Sequence, residues 1–183
     1  MCGIAGVVSL NGAPSEQDLN AAANALLHRG PDGSAHSIYN NVALVHTRLA
    51  IIDLQGGDQP LHHASKPLHL VANGEIYNYP ELTQHYLQAG QTFTTASDCE
   101  LILPAYADKG LDGIKSLHGM FAFALHDEHQ QQLILARDRL GIKPLYYSVL
   151  ADRLIFSSEI KGLLALMPNK PEVRTEALAD YLQ

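Results

Sequence analysis

Residues 119–158 read GMFAFALHDEHQQQLILARDRLGIKPLYYSVLADRLIFSS. Four segments in this run, GMFAFALHD, QQLILAR, KPLYYS and RLIFSS, have strand length and apolar or aromatic character, with tight polar connections between them. That pattern predicts four consecutive strands of an antiparallel meander. Helical stretches lie on either side. EIKGLLAL and TEALADYLQ follow, while upstream SDCE places Ser97 three residues before Glu100, a capping-box start for a helix running toward Lys109 and Gly110. Further upstream, Asn78 and Pro80 open a helix over about 80–89 that stops at Gly90. Strands are expected at CGIAGVV (2–8), VALVHTR (42–48) and LHLVA (68–72), and a helix from Ser15, where Asp18 completes a second capping-box pattern. The stretch IDLQGGDQPLHHASKP reads as surface loop. Strand clusters interleaved with helices predict an α+β fold with helices packed outside the sheets.

A chain of 183 residues suits one domain and needs no disulfide or metal to bury a core. With 19 acidic against 12 basic residues the net charge is −7, and no basic run overcomes it locally, so nucleic acid is not an expected partner. Two cysteines, Cys2 and Cys99, are too few for a disulfide framework, and no signal-peptide pattern opens the chain; a cytoplasmic location is expected. No apolar run is long enough to span a membrane. Ten histidines are present without ligand spacing or an attendant cysteine cluster, so no metal site is expected.

Position 2 raises a sharper question. Cys2 reads equally as a small hydrophobe opening a buried strand or as a nucleophile whose own α-amine, freed by removal of Met1, is its base. A thiol near pKa ~8.5 and an α-amine near ~7.7–8.0 make such a pair workable at neutral pH. Asn73-Gly74 reads first as a hairpin turn, and secondly as two donors for an oxyanion. Arg48, at a strand end, suits either a structural ion pair or the clamp on a free carboxylate. Asp98 suits a helix first turn or a counter-charge for an ammonium. Together the four would hold both ends of an α-amino acid.

The ordered blocks MCGIAGVV, HRGPDGS, HTRLAIIDL, NGEIYNY, SDCE, GMFAFALHD and ARDRLGIKPLYYS closely resemble the glutaminase domain of glutamine-dependent asparagine synthetases. That domain is a class II glutamine amidotransferase of the N-terminal-nucleophile hydrolase superfamily. The resemblance runs from Cys2 to FSSEIKGLL. It implies a four-layer αββα sandwich, two antiparallel sheets between helical layers. It further implies Cys2 as nucleophile, Asn73 and Gly74 as oxyanion hole, and Arg48 with backbone groups near Leu49, Ile51 and Ile52 on the α-carboxylate of glutamine. Glu75 and Asp98 would hold the α-amino group. Where the family has Thr or Ser in its SDTE-like block this chain has Cys99. Arg137, Asp138 and Arg139 are expected to form a structural ion-pair network.

The implied half-reaction, glutamine to glutamate and ammonia through a γ-glutamyl thioester, needs no cofactor. ATP and Mg belong to the synthetase domain of such enzymes, whose SGGLDS-type loop does not occur here. The resemblance therefore implies residues 1–183 as a glutaminase domain whose ammonia serves asparagine formation in a synthetase domain or subunit, with a homodimer left open. The last helix has no stop signal after Gln183, as in a chain cut at a domain boundary. Two other readings stay open: an amidotransferase domain serving an amino sugar, a peptide or a surface polymer, and a silent glutamine-sensing domain.

Overall fold

The computed structural model describes residues 1–54 and 56–182; the expectations for Gln55 and for the last residue of the final helix, Gln183, lie outside them. Among the described residues nine strands form two antiparallel sheets. β1 (Gly3–Ser9), β2 (Gly33–Tyr39) and β3 (Val42–Arg48) come first, then β4 (Leu61–His62), β5 (Leu68–Ile76), β6 (Gly119–Asp127), β7 (Gln132–Arg137), β8 (Tyr146–Val149) and β9 (Arg153–Ser157). One sheet has the order β2-β3-β1-β9-β8 and the other β4-β5-β6-β7. The helices are α1 (Glu16–Leu26), α2 (Tyr79–Gln88), α3 (Ile102–Lys109), α4 (Leu111–Lys115), α5 (Ile160–Leu166) and α6 (Thr175–Tyr181), with a single 3-10 turn at Asp98–Leu101 before α3.

Residue alternation sets the layers, since successive side chains of a strand point to opposite faces. Ile4, Val42, Leu44 and Phe156 of the first sheet meet Val71, Ala122 and Ala124 of the second in one buried layer. Their neighbours Ala5, Val7, Ala43, Val45 and Ile155 face outward onto Leu19, Ala22 and Leu26 of α1 and Leu163 and Leu166 of α5. On the other side, Leu70, Ala72, Phe121, Phe123 and Leu125 pack against Tyr86 of α2 and Leu101 to Tyr106. This is the four-layer arrangement of the expected α+β sandwich. Burying Phe123 and Phe156 completely contributes roughly 1.5–3 kcal/mol each. Phe156 fits because β1 carries glycine opposite it: a Cβ on Gly6 would lie 2.4 Å from the Phe156 ring.

Several local expectations are corrected. The run 119–158 is not one meander: β6 and β7 pair in one sheet, β8 and β9 in the other. The strand expected to end at Ala72 continues to Ile76, and β2, β4 and α4 have no counterpart in the expectations. Neither capping box closes in full, although Ser15 does cap α1. Ser15 Oγ accepts from Gln17 N at 3.2 Å, while Asp18 lies 3.7 Å from Arg153. Ser97 makes no side-chain cap, and Glu100 instead accepts from the backbone N–H groups and hydroxyls of Thr94 and Thr95. A carboxylate offered several donors in a preceding loop is satisfied better there than by a single cap bond.

Candidate active site

On three strands the inward-facing positions change from apolar to polar at the same end of the sandwich. Ile4 of β1 is preceded by Cys2; Leu44 of β3 is followed by His46 and Arg48; Val71 of β5 is followed by Asn73 and Glu75. A cleft opens where the inter-sheet layer runs out of hydrophobic side chains. It is lined by Cys2, His46, Arg48, Leu49, Ile51, Ile52, Asn73, Gly74, Glu75, Asp98 and Cys99, and also by Met1, Gly57, Gln59, Ala72, Ser97 and Lys143. All nine site residues expected from the sequence therefore meet in one place.

Register places the nucleophile candidate. β1 pairs with β3 so that Gly3 opposes Thr47, which leaves Cys2 beside the chain leaving β3. Leu49 N donates to Cys2 Sγ at 3.4 Å, and the thiol donates to Leu49 O at 3.6 Å. An N–H aimed at sulfur is what an anionic sulfur requires.

Asn73 and Gly74 overturn the hairpin reading. They lie inside β5, where Asn73 opposes Ala122 and Gly74 opposes Phe121 of β6. The glycine serves close approach rather than turning: a Cβ there would lie 2.4 Å from Met120 O and 2.6 Å from Phe121 Cα. Asn73 is buried, and its Nδ2 has no hydrogen-bond partner. A buried amide donor left unpaired is costly, so its place in the cleft marks a position that awaits an acceptor.

The guanidinium of Arg48 is nearly covered. It donates to Asp58 Oδ1 at 2.9 Å and to the carbonyl of Asp53. Asp53 in turn accepts from Gly56 N at 3.0 Å and Ala96 N at 2.8 Å, which pins the loop carrying Ile51 and Ile52 across the cleft. Gln59 closes that loop by pairing with both backbone groups of Ala72. Opposite stands Asp98, buried, accepting from Ile76 N at 2.6 Å. Burial raises its carboxyl above the ordinary range against the lowering effect of backbone N–H bonds, and Glu75 raises it further. Cys99 turns its thiol to Gly74 O at 3.7 Å, and burial pushes that thiol well up, so it stays protonated.

The sequence missed His46 and Lys143. Burial, then the nearby Arg48 charge, lower His46 to about 4, so its imidazole is neutral at physiological pH. Alternation back from Arg48 along VALVHTR would have found it, since the two share a strand face. Lys143 sits in a loop without periodicity and had no such signal. The Arg137–Asp138–Arg139 block is structural as expected, but not as an ion-pair network. Asp138 accepts from the backbone of Phe121, Ile142 and Lys143, and both arginines donate to backbone carbonyls. Among the described residues no cluster of three or more His, Cys, Asp or Glu is placed to hold a metal, and no helix is long and apolar enough to cross a membrane.

The family model of the glutamine amidotransferase domain matches residues 1–183. The chain belongs to that family. As an amidotransferase domain it is 41% identical over 170 residues to asparagine synthetase [glutamine-hydrolyzing] 2 of Bacillus subtilis, covering 90% of this chain and 22% of that protein. It is 41% identical over 167 residues to asparagine synthetase B [glutamine-hydrolyzing] of Escherichia coli, covering 90% and 30%. Amidase chyE of Penicillium rubens is 40% identical over 178 residues, covering 90% and 26%. The chain thus spans about a third or less of these relatives. Its fold is shared by the glutamine phosphoribosylpyrophosphate amidotransferase of B. subtilis, with a TM-score of 0.75 at 21% identity over 90% of this chain and 43% of that one.

Proposed function

We propose that this amidotransferase domain hydrolyses glutamine at Cys2 and that the ammonia serves ATP-dependent synthesis of asparagine in the longer protein. The observation that carries the catalytic assignment is the unpaired, buried Asn73 Nδ2 in the same cleft as the Cys2 sulfur. With Met1 removed, the Cys2 amine takes the thiol proton and Sγ bonds to the side-chain carbonyl carbon of glutamine. The resulting oxyanion accepts from Asn73 Nδ2 and Gly74 N–H, donors fixed in advance by the β5–β6 ladder. The C–N bond breaks as the amine returns its proton to the leaving nitrogen, and ammonia departs. Water then cleaves the thioester, releasing glutamate and restoring the thiol.

Recognition follows from charge. Asp58 is 82% exposed, so its pairing with Arg48 is weak and a substrate carboxylate can replace it. Asp98 and Glu75 supply the negative side for the α-ammonium. ATP and Mg act with the part of the longer relatives that this chain does not span, and glutaminase chemistry at Cys2 uses neither.

Met1 lines the cleft and, while present, makes the Cys2 nitrogen an amide with no basic lone pair. Intact mass measurement paired with an ammonia assay on the same sample tests the assignment. Ammonia release from glutamine without ATP is expected only in the fraction lacking Met1, abolished in Cys2→Ala and retained in Cys99→Ala. Full activity with Met1 retained would overturn it.

A further inference from the structure

Lys143 is buried, 7% exposed, yet its ammonium points into the cleft, where its polar partner is the Met1 thioether at 3.6 Å. A thioether is a weak acceptor, and an ammonium offers three donors. The residue's backbone is clamped on both sides: its N–H donates to Asp138 Oδ2 at 3.0 Å, and its carbonyl accepts from Arg137 Nε at 2.6 Å. Asp138 also takes the N–H of Phe121, the residue opposite Gly74. The loop is therefore built to present this side chain beside the β5–β6 end of the cleft. Among the described residues no carboxylate lies within ion-pair distance of the Lys143 ammonium; the bonds given to Asp138 come from backbone. Burying a cation without an anion is unfavourable, so a role for the charge is called for.

Met1 directly precedes Cys2 and both line the same cleft as Lys143, so the ammonium stands at the Cys2 end of it, and loss of Met1 removes its thioether contact. We infer that Lys143 is a positioning residue for the nucleophile: its charge holds the Cys2 amine–thiol pair in the singly deprotonated, reactive form at neutral pH. This inference rests on the Cys2 assignment above. Amine and thiol sit on one residue and share the proton that the reaction moves. Whichever gives up the first proton, the product carries one positive charge fewer, and a neighbouring cation favours that product. Other charged or titratable groups around Cys2 are otherwise committed. Arg29 donates to the Cys2 carbonyl but its charge is paired with Glu159, Arg48 is paired with Asp58 and then substrate, and His46 is neutral. Glu75 and Asp98 act in the opposite sense, until the substrate ammonium pairs with them, and the Cys99 thiol stays protonated. Among the described residues lining the cleft, Lys143 is the cation without a carboxylate partner.

The test is the pH dependence of kcat/KM for glutamine, from about pH 5.5 to 9.5, in Met1-free protein of the parent, Lys143→Met, Lys143→Arg and Cys2→Ala. Lys143→Met keeps the length of the side chain and removes a buried charge; Lys143→Gln substitutes for it should Lys143→Met not fold. The expected result is an acid limb displaced about one unit toward higher pH, roughly tenfold less activity on that limb, and recovery to within about threefold on the alkaline plateau. Lys143→Arg should keep the parent limb. An unmoved limb with equal loss at every pH, or a raised KM on the plateau with kcat unchanged, would overturn the inference. Ammonia release surviving in Cys2→Ala would instead overturn the nucleophile assignment on which it rests.

Discussion

The carbonyl oxygen of Cys2 accepts a hydrogen bond from Arg29 Nε at 3.0 Å, and the same guanidinium is held by Glu159 at 2.8 Å. The backbone of Cys2 is thereby tied across the sheet to the residue that opens α5. Burial acts to raise the Glu159 carboxyl, but hydrogen bonds from Arg29, His28 and Lys161 outweigh it and take it down to about 2. An unfolded glutamate titrates near ~4.3. Because the folded value is the lower one, this stabilisation is complete above ~4.3 and is lost as pH falls toward 2. Glu159→Gln is expected to lower Tm at pH 7 by roughly 2–8 °C, from about 1–2 kcal/mol of charge-assisted bonding. It should also reduce the Tm difference between pH 7 and pH 3. Thermal unfolding at both pH values checks this, and equal slopes in parent and variant would show that Glu159 carries no acid sensitivity.

Asn73→Ala separates stability from catalysis. Since Asn73 Nδ2 has no partner in the fold, its removal is expected to leave Tm unchanged or slightly higher, while kcat for ammonia release drops ~10²–10³-fold, as for loss of one oxyanion donor. A large loss of Tm would mean that the amide serves the fold instead.

Gly74→Ala behaves differently. A methyl group there meets backbone atoms of Met120 and Phe121, which cannot move aside without opening the β5–β6 ladder. A loss of about 1–3 kcal/mol is expected from overpacking, along with glutaminase activity, because the displaced strand also carries Asn73. Denaturant unfolding reads the first and the ammonia assay the second.

Arg48 and Asp58 make opposite predictions for substrate affinity. Arg48→Lys replaces a planar fork with a point charge and should weaken glutamine binding by ~2–5 kcal/mol, the cost of breaking a desolvated charge pair. Asp58→Ala removes an exposed competitor worth about 0–1 kcal/mol, so affinity should rise by up to about fivefold. Calorimetry with Cys2→Ala as background measures both without turnover. No change in Arg48→Lys would exclude Arg48 as the carboxylate clamp.

The membership of the cleft was legible in single residues. A cysteine at position 2, an arginine at the end of VALVHTR and an acid in SDCE carry their meaning in residue type and order, and all reach the cleft. Seven of the nine strands of the described residues were legible too, from runs of apolar and β-branched residues, whereas β2 and β4 were not. Pairing was not: nothing in residues 119–158 tells the second hairpin to join β1 rather than β7, since that choice depends on which apolar faces meet across the inter-sheet layer. Ser15 caps α1 as local pattern dictates, but Ser97 makes no cap, and the acids that would complete the two boxes went to tertiary partners, Asp18 to Arg153 and Glu100 to Thr94 and Thr95. Asn73-Gly74 has the sequence of a turn and the structure of a strand interior, because nine residues of β6 offer a full ladder and Gly74 permits its approach. Lys143 became visible only once Asp138 folded its loop back onto β6. Sequence by itself determined which groups were available. The tertiary structure decided which were left unpaired, because that depends on every other donor and acceptor finding its partner first.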